Sequence, residues 1–543
     1  MPSSTRPVWS SVFLAALLVP CVKASEAPPG AHAPAVPTAA SAPAESGIAW
    51  HHAASDADVD AAFAQARAES RPLFLYWGAT WCPPCNQVKA TLFNRQDFIA
   101  RSRAFVPVYI DGDSPGAQKL GARFKVSGYP TMLLFNPQGV EMTRLPGEVE
   151  PARYTQVLTL GMNAQRPVQA VLADARAGGA GLSANDWRLL AFYAWDTDEQ
   201  QLVAKADLPQ LLGQLAAACP PEPVDTADRL RLNALAAVDP APSAGLGPER
   251  QSRLVGLLKD PTRARAQMDV LTNSAPEIVR AASGRGTTQR MQLLAAFDAA
   301  LERFAVDPTL SRADRLSALI ARVDLTTLDA PPQKKGKRPS PSLTPALLDE
   351  IRTATARADR ETVDGYERQS VITTAADLLE HAGLDAESDA LLEANLGKSH
   401  SPYYLMSELA SNAKARGDNT AALKWYQQAF ETSEGPATRL QWGTSYVNAL
   451  VDLSPQDDAR IEQAVGTLLA DAGRQPDAFY GRSGRSMQRL GGKLVAWSHG
   501  GQHASTLRRL QERLDAVCSG LQADDAKRQN CESLLKPRPG SGA

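Results

Sequence analysis

The chain is poor in cysteine and has no excess of either charge. Its 543 residues include 6 cysteines, and 57 lysine and arginine residues are balanced by 59 aspartate and glutamate residues. Because nucleic-acid binding needs concentrated positive charge, a net charge of −2 gives no support for a nucleic-acid partner. The length suggests about three domains, and an apolar fraction of 44% is enough to form hydrophobic cores.

The sequence also has no apolar run of the roughly 20 residues that a membrane-spanning helix requires. One short apolar stretch, 12–19 with its neighbours, follows the positive charge of Arg6 and precedes Val22-Lys23-Ala24, which suits a signal peptidase. We therefore predict that residues 1–24 are a cleaved signal peptide and that the mature protein is exported without stable membrane insertion. An uncleaved anchor and a lipoprotein attached through Cys21 are the weaker alternatives.

The run Trp81-Cys82-Pro83-Pro84-Cys85 follows an apolar segment at a predicted strand-to-helix switch. Two cysteines separated by two residues at such a place form a reversible dithiol/disulfide couple. Cys82 falls at the helix start, where unpaired N–H groups and the helix dipole stabilise a thiolate, so we predict a solvent-exposed nucleophile. We predict that Cys85, one turn later, is buried and resolves the mixed disulfide. Pro83 occupies the first turn, where no N–H is needed.

The residue types that are absent near the two cysteines limit the reactions that this pair can carry out. A zinc site would need a second Cys or His pair nearby, and the sequence has none there, so we predict neither a metal nor a cofactor. Pro83 and Pro84 leave no histidine between the cysteines to stabilise the reduced thiolate, which favours a reducing couple. The sequence leaves the direction open between reductase, oxidase and isomerase.

Residues 47–163 alternate between predicted helices and strands. The predicted helices span 56–70, 85–101, 115–124 and 151–162, and the predicted strands span 73–77, 105–110, 132–135 and 140–145. This order, with a CxxC after the first central strand, resembles the thioredoxin fold. The segment RPLFLYWGATWCPPCNQVKATLFNRQDFIA is most similar to the thioredoxin-like domains of exported bacterial thiol:disulfide interchange proteins.

The resemblance implies further site residues. Tyr129-Pro130-Thr131 matches the second signature of the family, a cis-proline that packs against the CxxC and presents backbone groups to the substrate. Trp81, Tyr129 and Pro130 are then expected to bind substrate. One position departs from the family: Tyr76 stands where thioredoxins usually carry a buried acid, and a tyrosine is a poor base near neutral pH.

The same resemblance implies a protein-disulfide oxidoreductase located in the periplasm. Its expected partners are exported proteins with disulfides and a membrane thiol reductase as electron donor. A second hypothesis remains: a non-enzymatic adaptor whose helical array binds a partner and whose thioredoxin-like domain only docks. The intact CxxC argues against this adaptor hypothesis.

Export also bears on the other cysteines. Cys518 and Cys531 are 13 positions apart around a turn-like stretch, and we predict a structural disulfide that joins two C-terminal helices. Cys219 precedes two prolines, and we expect a small buried residue at a helix end.

After residue 163 the strand signals disappear and Ala- and Leu-rich helical segments follow. We predict five segments outside the thioredoxin-like domain: a flexible linker at 25–46, a helical region at 164–330, a basic Pro-rich loop at 331–342, a second helical region at 343–535 and a flexible tail at 536–543. The basic loop is interpreted as a solvated linker in preference to a polyanion-binding patch.

The second helical region has a 34-residue period, which is typical of the tetratricopeptide repeat. The repeated positions are Ala376, Leu379 and Gly383, followed by Ala410, Ala413 and Gly417. We therefore predict an all-α, solenoid-like domain of helical pairs behind an α/β thioredoxin fold. Whether its surface binds substrate or a partner stays open at this point.

Overall fold

The computed structural model describes residues 47–147, 150–195, 198, 202–238, 245–330, 341–523 and 525–536. The predicted signal peptide and linker, most of the basic loop and most of the tail lie outside the described residues. Within the described ranges, no helix combines the length and the apolar character needed to cross a membrane.

The N-terminal part is a mixed five-stranded sheet with the order β1-β3-β2-β4-β5. Its strands are β1 (His51–His52), β2 (Leu73–Gly78), β3 (Val106–Asp111), β4 (Thr131–Phe135) and β5 (Glu141–Leu145). Strands β1, β2 and β3 are parallel, whereas β4 runs antiparallel to β2 and β5 antiparallel to β4. Every residue of β2 is buried, as expected for a central strand covered on both faces.

Five helices accompany the sheet: α1 (Asp56–Ala68), α2 (Pro83–Val88), α3 (Gln96–Ser102), α4 (Ala117–Arg123) and α5 (Pro151–Met162). The single helix predicted at 85–101 is wrong in one respect, because α2 continues into a π-helical turn at Lys89–Phe93 and the chain then breaks before α3. Hydrophobic periodicity does not distinguish a π turn from an α turn, because one extra residue per turn changes the pattern very little. The short strand β1 was not predicted.

The rest of the described chain is helical. The first set is α6 (Val168–Arg176), α7 (Ala184–Ala191), α8 (Leu208–Ala218), α9 (Val224–Ala236), α10 (Pro248–Lys259), α11 (Pro261–Ala266), α12 (Met268–Asn273), α13 (Ala275–Ala282), α14 (Thr288–Val306) and α15 (Arg312–Thr327). The second set is α16 (Pro345–Glu361), α17 (Gly365–His381), α18 (Asp385–Asn395), α19 (Pro402–Arg416), α20 (Asn419–Thr432), α21 (Pro436–Leu453), α22 (Asp458–Gly473), α23 (Gly481–Trp497), α24 (Ala504–Ser519) and α25 (Arg528–Glu532). The predicted fold class, a thioredoxin-like α/β part followed by a largely helical part, is confirmed.

The second set of helices forms successive pairs. Gly383 ends the first helix of one pair at φ +75°, and Gly417 ends the first helix of the next at φ +83°. A left-handed backbone at a helix C-terminus favours glycine, so the 34-residue spacing of these two glycines has a structural reason. The finer assignment to tetratricopeptide repeats stays a prediction.

The thioredoxin-like part and the last helices share one hydrophobic core. Ala79, Trp81, Cys82 and Cys85 pack in the same buried cluster as side chains of α19 to α25. Separate cores form on the two faces of the sheet, one with α5 to α9 and the other with α1 and α4. The dithiol turn therefore lies at the junction of the sheet and the C-terminal helices.

Candidate active site

The dithiol turn lies directly after β2, where the chain switches from strand to helix. Cys82 is the N-cap of α2, with extended backbone angles, and its sulfur accepts a hydrogen bond of 3.2 Å from the N–H of Cys85. Pro83 and Pro84 fill the first turn, where their missing N–H groups leave no helical bond unmade. The two cysteines form a disulfide, with Cα atoms 5.2 Å apart.

Asn86, which was not predicted as a site residue, binds the backbone of this turn. Its side chain is fully buried, and its Nδ2 donates to the carbonyl oxygens of Thr80 at 2.7 Å and Cys82 at 2.9 Å. These two bonds fix the backbone on both sides of Trp81. The only signal in the sequence was its position directly after Cys85.

The expectation of a solvent-exposed Cys82 is wrong. Cys82 is 3% exposed and Trp81 is 6% exposed, while Cys85 is completely buried, as expected. The cover is supplied by helices more than 300 positions later in the chain. Contacts at that distance leave no local pattern in the sequence, so the turn was expected to lie on the free surface of an isolated domain.

An aromatic cluster from the C-terminal helices covers Trp81. The ring of Tyr404 stacks on Trp81 with centroids 6.1 Å apart, and Trp442 meets it edge-on at 5.8 Å. Arg482 places its guanidinium 5.0 Å from the Trp81 ring and 5.2 Å from the Tyr129 ring. Such cation–π contacts contribute about 0.5–2 kcal/mol each, more when they are shielded from water.

The predicted substrate-binding residues Tyr129 and Pro130 directly precede β4 and lie beside the turn. The Tyr129–Pro130 peptide bond is cis, as the resemblance implies, and Thr131 at the start of β4 pairs with Trp77 near the end of β2. Tyr129 stacks on Trp77 with centroids 6.0 Å apart and accepts a hydrogen bond of 3.0 Å from Gln118. Trp81 and Tyr129 also contact each other edge-on.

Each side of the junction caps a helix of the other side. Asp113, which follows β3, accepts hydrogen bonds from the N–H, at 2.7 Å, and the hydroxyl of Thr438 in the first turn of α21. In return, Asp477 accepts a bond of 2.8 Å from the N–H of Gln118 in the first turn of α4. Because carboxylates at helix N-termini satisfy unpaired N–H groups, this reciprocal pair fastens the helical region over the site.

Burial affects both of these carboxyl groups. It raises the pKa of Asp113 to about 6, although the hydrogen bonds from Thr438 act in the opposite direction. It raises the pKa of Asp477 as well. At this junction, Gly435 is required because a Cβ would lie 2.5 Å from the Asp113 carboxyl carbon and the backbone has φ +88°.

Tyr76 cannot replace the acid that thioredoxins usually carry. The side chain is 1% exposed, and its hydroxyl has no hydrogen-bond partner among the described residues. Burial and the charge of Asp111 raise its pKa far above the ordinary 10 of tyrosine. The ring stacks on Tyr109 with centroids 5.2 Å apart, so Tyr76 fills the core below the turn rather than accepting a proton.

Three further cysteines lie in the described part of the chain, in helices or at a helix end. Cys518 of α24 and Cys531 of α25 form a disulfide with Cα atoms 5.7 Å apart, which falls in the range for unstrained bridges. Cys219 is a buried free thiol at the C-terminal end of α8, and burial raises its pKa to about 11. A thiol with this pKa is protonated near neutral pH and is a poor nucleophile.

Comparison with known proteins agrees with this geometry. Residues 59–161 match the family model described as a thioredoxin-like domain. The chain is 30% identical over 121 residues to thiol:disulfide interchange protein DsbD 1 of Pseudomonas aeruginosa, which is 22% of this chain and 20% of that protein. It is 30% identical over 112 residues to thiol:disulfide interchange protein DsbD of Klebsiella pneumoniae, or 20% of this chain and 18% of that protein.

The chain spans about a fifth of the length of these relatives, so the likeness concerns one domain. That domain and its close cysteine pair indicate a thiol:disulfide oxidoreductase kind of activity. Residues 59–161 thus form a thioredoxin-like domain, homologous to a segment of thiol:disulfide interchange proteins and joined to a large helical region.

Proposed function

We propose that this protein is an exported protein-disulfide oxidoreductase that uses Cys82 and Cys85. The observation that carries the proposal is the position of Cys82 at the N-cap of α2, where its sulfur accepts the N–H of Cys85. In the reduced protein this arrangement favours the thiolate on Cys82 over the one on Cys85, which lies inside the turn.

The reaction transfers two electrons from the dithiol to a substrate disulfide. The Cys82 thiolate attacks one substrate sulfur, the substrate S–S bond breaks, and the other substrate sulfur leaves as a thiolate. The Cys85 thiolate then attacks Cys82 in the mixed disulfide, which releases the second substrate thiol and forms the Cys82–Cys85 disulfide. Another dithiol must reduce this disulfide before the next cycle, and a membrane thiol reductase in the periplasm is the expected donor.

The helical region determines access in this proposal. With Cys82 3% exposed, a folded substrate protein reaches the sulfur only after the contacts of Trp81 with Tyr404 and Trp442 open. We therefore assign to the C-terminal helices the selection of substrates or of the electron donor, as well as protection of the dithiol.

The oxidoreductase activity can be tested with a disulfide-bonded reporter peptide. The full chain reduces this peptide, and dithiothreitol serves as the electron source. We expect Cys82→Ser to abolish reduction of the peptide by the protein. We expect Cys85→Ser to accumulate the mixed disulfide between Cys82 and the peptide. Cys219→Ser is the matched control and is expected to retain activity. Equal activity of the wild-type chain and Cys82→Ser would overturn the proposal.

The buried Cys82 also favours a second candidate, the adaptor in which the domain only docks. That candidate requires function without the dithiol. Replacing Cys82 by Ser in the native host separates the two functions, because an adaptor retains its role and an oxidoreductase loses it.

A further inference from the structure

A pocket of about 50 Å³ lies between α15 and α16, and the end of α14 closes one side of it. Since a water molecule needs about 10–15 Å³ of such space, the pocket has room for roughly three to five waters or for one carboxylate group. The residues that line it are either charged or apolar. No step of the mechanism above uses it.

Positive charge predominates among the residues that line the pocket. The charged ones are Arg312 and Arg315 of α15 and Arg357 and Glu361 of α16. Arg312 also donates at 2.7 Å to Glu367 of α17, which neutralises one positive charge. The side chains of Arg315 and Arg357 form no hydrogen bond or ion pair with any described residue. Positive charge therefore remains in excess even when both glutamates are counted.

Two hydrogen-bond donors at this pocket have no acceptor. The Nε atoms of Arg312 and Arg315 are shielded from solvent and have no partner within the described part of the chain. A buried donor without an acceptor is unfavourable. Arginine presents its Nε–H and Nη–H groups side by side, an arrangement that binds both oxygens of one carboxylate. A carboxylate between the two guanidinium groups would therefore supply the missing acceptors.

The acidic residues that neighbour these arginines along the helices are bound elsewhere. Asp314 accepts a hydrogen bond of 2.8 Å from Gln87, which joins α15 to the helix of the dithiol. Asp359 of α16 forms an ion pair with Arg368. Neither carboxylate lines the pocket, so the described residues bring no further anion to it beyond the two glutamates above.

The other walls of the pocket are apolar. Leu316, Leu319 and Ala358 line it and are at most 5% exposed, and Ala305 and Ala354 complete the lining. A phosphate group carries oxygens in every direction and would leave some of them against this surface without a donor. A carboxylate on a short aliphatic stem fits better, because its oxygens meet the arginines while its CH₂ groups contact the leucines.

We propose that this pocket binds a carboxylate group on a short aliphatic stem, held by Arg315 and Arg357 with Arg312 as a third donor. Such a group is either the side chain of a glutamate in a partner protein or a small free carboxylic acid. The pocket contains no residue of the dithiol turn, so the inference does not depend on the proposed function.

Binding of small probes to the full chain tests the proposal, and saturation-transfer NMR measures it. We expect butyrate to bind with a Kd on the order of 1–10 mM. Acetate should bind at least about threefold more weakly, because it lacks two CH₂ groups that contact the apolar wall. Uncharged butyramide should not bind, and phosphate at the same concentration should displace little butyrate.

A pair of peptides with blocked ends identifies the source of the carboxylate. One has the sequence Ala-Ala-Glu-Ala-Ala, and the other carries Gln in place of Glu. If the Glu peptide binds more tightly than butyrate and the Gln peptide does not bind, the natural ligand is a glutamate of a protein. If butyrate binds more tightly than the Glu peptide, the natural ligand is a free acid.

Arginine variants identify the pocket as the site. Arg315→Gln and Arg357→Gln should each weaken butyrate binding at least about fivefold. Arg315→Lys keeps the charge but lacks the planar fork, so it should bind more weakly than wild type and more tightly than Arg315→Gln. Arg360→Gln, at an exposed position of α16 outside the pocket, is the matched control and should bind as wild type does. Unchanged thermal unfolding verifies that each variant is folded.

Three results would overturn the inference. The first is the absence of saturable butyrate binding. The second is that butyramide or phosphate binds as well as butyrate. The third is that Arg360→Gln weakens binding as much as Arg315→Gln and Arg357→Gln do, because a diffuse surface charge would then attract the anion. Reduction of the reporter peptide through Cys82 is measured separately, so the proposed function stands or fails independently of these results.

Discussion

Cys82 combines two properties that are usually found apart: a helix-start position that favours the thiolate, and almost complete burial. The hydrogen bonds from Asn86 to the flanking carbonyl oxygens are made within the turn and α2, without a residue of the C-terminal helices. His400 adds a contact from the cover itself, because its Nε2 lies 3.0 Å from the Thr80 carbonyl and donates to it. Reactivity of the sulfur and access to it are therefore controlled by different residues.

Alkylation of the reduced protein tests the roles of the two cysteines. We expect iodoacetamide to modify Cys82 before Cys85, because the N–H of Cys85 donates to the Cys82 sulfur and stabilises its thiolate, and Cys85 lies inside the turn. Peptide mass mapping after short exposures measures the order. Cys219 serves as an internal control that reacts slowly near neutral pH, because its pKa is raised. Earlier modification of Cys85 would reverse the assigned roles.

At the scale of elements, the sequence predicted the parts that depend on local chemistry. The apolar run of β2, the prolines of α2 and the Asn136–Gly139 turn between β4 and β5 lead directly to the observed elements. The pair Cys82–Cys85 was identified for the same reason, whereas the cis-proline was expected only from the resemblance to the thioredoxin fold. The π-helical turn after α2 and the two-residue strand β1 were not, because neither changes the apolar pattern enough.

Removing one aromatic ring should open the cover that Tyr404 and Trp442 form over Trp81. Tyr404→Ala removes the stack on Trp81, which should weaken closure by about 2 kcal/mol and raise the open population, and with it the alkylation rate of reduced Cys82, roughly 10- to 30-fold. Tyr404→Phe keeps the ring and is expected to behave like wild type. If Tyr404→Ala leaves the rate unchanged, Tyr404 is not part of the cover that limits access.

The reciprocal caps make the junction sensitive to pH. The pKa of Asp113 at the closed junction, about 6, lies above its ordinary 3.8, so the closed arrangement favours the neutral carboxyl. Its contribution to stability is complete below about pH 4 and is lost as the pH rises through 6. The raised pKa of Asp477 acts in the same direction.

Asp113→Asn tests this pH dependence, because the amide stays neutral throughout. Relative to this variant, wild type should gain about 1 kcal/mol in the free energy of unfolding when the pH falls from 7.5 to 5. Urea titrations of both proteins at the two pH values measure the difference. If the free energy of unfolding of wild type instead falls relative to Asp113→Asn when the pH is lowered, the Thr438 contacts favour the carboxylate form of Asp113.

A second disulfide, Cys518–Cys531, joins the C-terminal helices, and we predict that it is structural and not redox-active. A bond between Cys518 and Cys531 closes a loop of about 14 residues, for which chain entropy gives roughly 3 kcal/mol of stabilisation. We expect non-reducing mass mapping of exported material to find this linkage, and mild reductants to open Cys82–Cys85 before it. The double Ser variant should unfold at a lower denaturant concentration. Two free thiols in exported protein would contradict the prediction.

At the scale of the whole molecule, the packing that controls access to Cys82 was not predictable from one sequence. Tyr404, Trp442 and Arg482 meet Trp81 across more than 300 positions, and each lies in a helix whose local pattern explains only its own amphipathic packing. The 34-residue spacing predicted helical pairs but not the surface that they cover. An exposed Cys82 was therefore expected, and the folded chain buries it.

The reduction potential of Cys82–Cys85 in the full chain shows whether this pair is a redox couple. Equilibration with a series of glutathione redox buffers, followed by trapping and mass analysis, measures it. We predict a reversible two-electron couple closer to the value of about −270 mV found for thioredoxin than to the roughly −120 mV of a strong oxidant, because Pro83 and Pro84 supply no charge-stabilising histidine. A pair that does not exchange with glutathione, or that stays oxidised below about −300 mV like a structural disulfide, would show that Cys82–Cys85 is not a catalytic redox couple.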